Sequence, residues 1–542
     1  MKARVYLPFI FTNALIGSIV ASTIFFYIFL NPFHNWDIDA FLYLGGRLDQ
    51  GQLLYVGDFE TKLPIVQYIF WVPYIYGGIG AWRIASIILV GFALLQPLLS
   101  LRKIFNLPKS FLLLLFLASL FVFCNVPGAE SAQISIVASA LIFSSIINAS
   151  LGLMRGGNRF YCILSGLMFG FAVSIRPNFL FTAISIFLPL LLPSIRKSIL
   201  ASRYILIVLA ALIAILIQFS PYIFSAVSFE NLAAGLNAIR SYSNGLNISD
   251  LLLSQFTNNI GLVGYVSSGS IYFFILALSI FPTVIFIQNK KSDKTLLNRD
   301  LSKQEFSILF CYIVSLSSLL LLEFSFLGTH YWDHYQAMFL PYLTIFSLIV
   351  CFIFVNYVSM LRLTKLGNLY VTLLLIGLFT YFQMIYTRYY EIYNIITRHG
   401  FVNFNINDRN MDPRLLEFLG DYLRQGKSFY VYDNMNYHRI LTHERIGDGH
   451  LVLANDVLSG KKFPPIKGIG FIENSSSENT CDIFKYSNKD LIVFRRSVVF
   501  PFNLPAEKCL SASNSYRNLC KEDFSAHPFC SISSLYEFYV KR

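Results

Sequence analysis

Between two long apolar runs lies a short polar stretch, residues 36–64, WDIDAFLYLGGRLDQGQLLYVGDFETKLP. Five acids (Asp37, Asp39, Asp49, Asp58 and Glu60) and two cations (Arg47 and Lys62) are crowded into it. A carboxylate beside an attacking hydroxyl can take its proton. A cation beside a departing anion can hold its charge with no proton transfer. Two neighbouring acids such as Asp37 and Asp39 can also share a divalent ion, although two carboxylates alone make a poor site. Each residue has a plainer reading too. Asp37 is placed to cap a helix over about 38–50, with Gly51 to end it. The remaining acids suit a solvated face. Phe41, Leu42 and Leu48 would lay that helix in a membrane interface.

What must hold these residues is a membrane-embedded scaffold. The chain has 542 residues, of which 55% are hydrophobic and 13% charged, and its mean hydropathy is +0.58. A soluble domain carries about 25% charged residues. Apolar runs long enough to cross a bilayer lie at 7–30, 81–101, 110–126, 132–152, 160–175, 178–194, 204–226, 261–287, 305–327, 336–358 and 368–387. The pattern predicts a polytopic α-helical protein with about eleven spans. Leu7 to Leu30 is too long for the core of a cleaved leader and lacks a small-residue cleavage site, so it is expected to stay as a span.

The net charge of +12 does not point to nucleic acid, because the cations sit in short loops. Lys2 and Arg4, then Arg102, Lys103 and Lys109, then Arg155 and Arg159, then Arg196, Lys197 and Arg203, the stretch 289–303, and Arg362 with Lys365 all fall on one side. Cation-rich loops stay in the cytosol. The N-terminus is therefore expected to be cytosolic, with loop 31–64 and the tail 388–542 outside.

At about residue 388 the composition turns polar. SFYVYD (428–433) and DLIVFRRSVVF (490–500) read as strands. PRLLEFLGDYLRQG (413–426) reads as a helix with Leu415, Leu416, Leu419 and Leu423 on one face, Asp412 as N-cap and Gly426 as its stop. The prediction is a membrane module over 1–387 followed by a small α/β domain outside the membrane over 388–542. Cys124, Cys162, Cys311 and Cys351 fall in apolar runs and read as packing residues. Cys481, Cys509, Cys520 and Cys530 all lie in the tail, where an even number outside the cytosol suggests two disulfides with three pairings open.

The order of residues in the first outer loop resembles that of the GT-C glycosyltransferases, in the branch of the protein mannosyltransferases and the lipid A aminoarabinose transferase. The matching positions are Trp36-Asp37, Phe41, Gly45, Gly51, Leu53, Tyr55, Glu60, Lys62 and Pro64. That branch carries Asp-Glu where this chain has Asp37-Ile38, with its second acid at Asp39. PGAES (127–131), SGLMFGFAVSIRPNFL (165–180) and HYWDHYQAMFLPYL (330–343) resemble three further family segments, and mark Glu130, Arg176, and His334 with Tyr335. The tail matches only loosely, through 430–445.

The resemblance implies an inverting transfer of a sugar from a polyprenyl-phosphate carrier to a lipid, glycan or protein acceptor. Asp37 would take the acceptor's proton, and Glu130 or Glu60 would orient hydroxyls. Lys62 and Arg176 would hold the phosphate. Asp39, Tyr55, His334 and Tyr335 would complete the substrate site, with a divalent metal an open alternative. The setting would be the inner membrane, with the chemistry facing the periplasm. The nearest rivals are an O-antigen-type polymerase or ligase and a transporter of lipid-linked sugars. Walker A, dinucleotide-glycine, HExxH and G-x-S-x-G motifs are absent from the sequence, which argues against nucleotide, zinc-protease and serine-hydrolase chemistry.

Overall fold

The computed structural model describes residues 36–56, 62–105, parts of 112–123, 134–224, 226–243, 301–325, 337–357, 413–432, 490–495, 504–522 and 536–542. In chain order the elements begin with α1 (Trp36–Asp49), α2 (Ile65–Tyr76), α3 (Ile79–Phe105), α4 (Ile134–Leu153) and α5 (Arg159–Ile175). They continue with α6 (Leu180–Phe187), α7 (Pro193–Ser198), α8 (Ser202–Ile217), α9 (Ala226–Ser243), α10 (Lys303–Ser325), α11 (Leu340–Tyr357) and α12 (Pro413–Arg424). The C-terminal elements are β1 (Phe429–Tyr432), β2 (Leu491–Arg495), α13 (Leu504–Ser511), β3 (Tyr516–Asn518), α14 (Leu519–Glu522) and β4 (Tyr536–Lys541). They fall into two compact units. One holds 83–217 and the described part of 246–401; the other holds 33–82, 218–245 and the described part of the tail from 402.

The first unit is built around α4. Every residue of this helix but Leu141 is buried. A helix that is apolar on all sides belongs inside a bundle or a membrane. Its polar side chains are bonded to its neighbours. Ser139 Oγ donates to the Ala337 carbonyl at 2.6 Å, and Ser165 Oγ donates to the Ser145 carbonyl at 2.9 Å. Asn148 and Gln96 of α3 exchange amide bonds in both directions, at 2.8 and 3.1 Å. In an apolar surround such bonds fix which helix faces which, and small residues let backbones close in.

Helices α5 and α8 approach closely. A Cβ on Gly166 would lie 2.2 Å from the Ile207 carbonyl oxygen, and one on Gly170 would lie 2.5 Å from that of Ala211. Gly166 and Gly170 thus form a G-x-x-x-G face seated on Ala210, Ala211 and Ala214. Helix α5 starts at Asn158, whose side chain accepts from the Phe160 N–H at 2.9 Å. It ends at Arg176, before Pro177. Helix α10 opens with a capping box: Ser302 Oγ accepts from the Glu305 N–H at 3.3 Å, and Glu305 accepts from the Ser302 N–H at 2.9 Å.

Among the described residues three helices are long and apolar enough to cross a membrane: Ile79–Arg102, Ile134–Leu153 and Lys303–Leu322. The chain is a mostly helical membrane protein with a small sheet. The run expected as one span at 178–194 is instead broken into 3-10 turns and short helices at Pro177, Pro189 and Pro193, because proline cannot donate to a continuing helix. The run 204–226 stops as a helix at Ile217 and passes into a 3-10 turn, Ser220–Phe224. The spans expected at 7–30, 261–287 and 368–387 lie outside the described residues. Cys162 and Cys311 are buried and free.

In the second unit α1 and α2 pack face to face. A Cβ on Gly45 would lie 2.6 Å from the Phe70 carbonyl oxygen, and one on Gly46 would meet the Tyr74 ring at 2.8 Å. Phe41, Phe70 and Trp82 form the aromatic core, with ring centres 5.3 and 4.2 Å apart in succession. Ile38 and residues 41–46 are buried on every side of α1. The helix therefore lies inside the protein, and the interfacial placement expected for it is corrected by this burial. The helix already includes Trp36 and Asp37, so Asp37 lies within it and is not the cap. Gly51 does end it, at φ +78°.

The tail carries a mixed sheet of order β1-β2-β4-β3. β1 and β2 pair in parallel with Phe429 opposite Leu491, and β4 runs antiparallel to both β2 and β3. Helix α12 stops at Gly426, φ +69°, where the Lys427 N–H reaches back to the Tyr422 carbonyl at 3.1 Å, the Schellman closure that glycine permits. Asp490 accepts from the N–H and hydroxyl of Ser428, both at 2.8 Å. These two bonds, with Lys541 and Lys427 nearby, hold its carboxyl below the usual carboxylate range. Cys509 and Cys520 are both disulfide-bonded, while Cys481 and Cys530 lie outside the described residues.

Candidate functional site

Asp37 and Asp39 occupy the second and fourth positions of α1. Glu60, Glu130, His334 and Tyr335 lie outside the described residues. Among the described residues no three His, Cys, Asp or Glu side chains gather as a metal site.

Lys62 and Tyr55 come together. The chain leaves α1 at Gly51, turns through 53–56, and returns to start α2 at Ile65. Tyr55 sits at the turn with φ +67°, the single described non-glycine residue in the left-handed region. That conformation costs an L-residue about 1–3 kcal/mol and persists only where the surroundings enforce it. Here they do. Tyr55 is fully buried, and its hydroxyl donates to the Lys62 carbonyl at 2.6 Å. Its ring lies on Gly235 of α9, where an added Cβ would stand 2.6 Å from Cδ1.

Three polar residues that sequence reasoning passed over pin the rest of this loop. Gln67 of α2 accepts from the Leu54 N–H at 2.9 Å and donates to the Leu44 and Gln52 carbonyls at 3.1 and 2.8 Å. Tyr222 donates to the Leu54 carbonyl at 2.8 Å. Gln218 accepts from the Ile65 N–H at 3.0 Å. The signal was present for Gln67, a lone amide in the apolar run IVQYIF, since a polar residue in such a run needs a reason.

Arg176 belongs to the other unit. It is 5% exposed, and its Nε donates to Ser135 Oγ, in the first turn of α4, at 2.8 Å. Arg203 holds the opposite end of the same helix, donating through Nη1 to the Gly152 and Met154 carbonyls. The contrast is informative. A helix carries partial positive charge at its N-terminus and partial negative charge at its C-terminus. Arg203 is therefore explained by α4 alone. Arg176 stands instead at the positive end of that helix. A guanidinium fork of this kind suits a carboxylate or a phosphate.

No family model matches the sequence, and neither does any curated protein. The structure does have solved relatives in shape. The apo oligosaccharyltransferase of Archaeoglobus fulgidus aligns at a TM-score of 0.50 and 10% identity, over 93% of this chain and 73% of that one. The same archaeal enzyme with zinc and sulfate aligns at 0.48 and 12% identity, over 93% and 71%. In complex with an inhibitory peptide and a dolichol-phosphate it aligns at 0.47 and 10%, over 93% and 72%. At this identity the likeness to the apo enzyme is one of fold. The chain shares the fold of that enzyme.

Proposed function

We propose that this protein is an inverting glycosyltransferase that moves a sugar from a polyprenyl-phosphate carrier to a lipid, glycan or protein acceptor. The observation that carries the proposal is Arg176, a buried cation set at the N-terminus of the central helix of a fold shared with an oligosaccharyltransferase. The reaction has a leaving group of the matching charge. An acceptor oxygen attacks the anomeric carbon as the bond from that carbon to the phosphate oxygen breaks. The electron pair leaves with the carrier phosphate, whose charge Arg176 and Lys62 offset. Asp37 takes the acceptor's proton, and a single displacement inverts the anomeric centre. Glu130 and Glu60 orient hydroxyls; Asp39, His334 and Tyr335 line the substrate.

The wider setting is part of the same reading. Residues 1–387 form the membrane module, of about eleven spans, and 388–542 form an α/β domain on the outer side. The N-terminus is cytosolic, and the active loop 31–64 faces the periplasm of a cell-envelope membrane.

The test uses purified full-length protein in lipid nanodiscs. Wild type and Asp37→Asn are given a panel of polyprenyl-phosphate sugars, and release of free carrier phosphate is followed. Turnover by wild type with loss in Asp37→Asn is the expected result. Undiminished turnover in Asp37→Asn removes Asp37 as the base. Movement of intact donor across the bilayer without cleavage removes the transferase reading altogether.

A further inference from the structure

The left-handed tyrosine has a consequence for Lys62. Tyr55 is sealed from solvent, so no substrate reaches its ring or hydroxyl. Its hydroxyl is committed to the backbone of Lys62 at 2.6 Å. The turn that carries it is pinned from both sides at Leu54, by Gln67 and by Tyr222. Beneath the ring, Gly235 leaves no space for even one methyl group, with Cδ1 and Cγ only 2.6 and 2.7 Å from where its carbon would stand. The backbone of Lys62 is thus fixed through a phenol whose own position is set by helix α9. We infer that Tyr55 is a positioning residue for Lys62, and that Gly235 of α9 is the seat that keeps it in place. The inference rests on the assignment of Lys62 to the carrier phosphate, and it makes Tyr55 act through Lys62 rather than on substrate.

The test is a double-mutant cycle read as affinity for undecaprenyl phosphate. It uses full-length protein in nanodiscs with Tyr55→Phe, Lys62→Met, the double variant and Gly235→Ala. Tyr55→Phe keeps the ring and removes one buried hydrogen bond, and is expected to weaken binding about tenfold. In the Lys62→Met background the same change is expected to shift binding by less than about twofold, because partners in one unit are not additive. Equal weakening in both backgrounds overturns the inference, since Tyr55 would then act without Lys62. Unchanged binding in Tyr55→Phe overturns it as well. If Lys62→Met alone binds as wild type, the phosphate assignment of Lys62 fails and takes the inference with it, an outcome distinct from the other two. Gly235→Ala is expected to weaken binding in the same Lys62-dependent way. A Gly235→Ala protein that folds and binds as wild type removes α9 as the seat.

Discussion

Helix α5 delivers Arg176, and its seat on α8 gives a sharp prediction. A methyl group on Gly166 would lie 2.2 Å from the Ile207 carbonyl oxygen and 2.7 Å from the Ala210 Cβ. An ordinary carbon-to-oxygen contact is about 3.3 Å, so the two helices must separate by about 1 Å. The atom in the way is backbone and cannot rotate aside. Overpacking of this kind costs about 1–3 kcal/mol. Arg176 follows Gly170 by six residues, about 9 Å along a helix, so the displacement is carried to the guanidinium. A misplacement of about 1 Å at a reacting centre costs on the order of a hundredfold in rate. Gly166→Ala is therefore expected to lower the unfolding temperature in nanodiscs and to cut release of carrier phosphate by roughly ten- to a hundredfold. Gly91 of α3 is the control, because a Cβ there would meet only the Phe116 ring, at 3.9 Å. Gly91→Ala should be neutral or slightly stabilising, as expected for glycine replaced inside a helix. A Gly166→Ala protein as stable and as active as wild type, or a Gly91→Ala protein equally damaged, would refute the packing argument.

Three further outcomes follow from the geometry. Arg176→Lys keeps the charge but loses the planar fork and the Nε bond to Ser135, and should raise the KM for donor by roughly tenfold, seen in initial rates over a donor series. Gln67→Leu strands the Leu54 N–H and the Leu44 and Gln52 carbonyls, and should cost about 2–4 kcal/mol, measured by denaturant unfolding followed at Trp82. Asp490 has a lowered carboxyl pKa through its bonds from Ser428, so its contribution to stability is present above the ordinary carboxylate pKa and fades as pH falls through the lowered one. Asp490→Asn should flatten the acid limb of tail stability, read by hydrogen exchange at β1 and β2; an unchanged limb would remove Asp490 as its source.

The long helices were legible because apolar length alone reveals them. The runs at 132–152, 160–175 and 305–327 correspond to α4, α5 and α10 within two residues at each end. Strands β1 and β2 and helix α12 were legible from alternation, a leucine stripe and a terminal glycine. Helix α2 was not, since its 12 residues are too few to cross a bilayer and too apolar to show a polar face. Strands β3 and β4 were missed because each gains its place only by pairing with residues far along the chain. At the candidate site, Lys62 was singled out by its place in the polar stretch and Arg176 by the family resemblance of 165–180. Sequence could not show that Tyr55 is enclosed, nor that Ser135 would meet Arg176 across 41 residues, because both depend on which helices become neighbours.

The paired amides of Gln96 and Asn148 carry a consequence for descent. Each group both gives to and receives from the other, so a substitution at one position leaves its partner with only its bonds to Ser144 and part of its polar capacity unmet. Neither site can drift alone without penalty. Lineages that keep this bundle should therefore inherit the two positions together, either both polar or both replaced by apolar side chains of matching size.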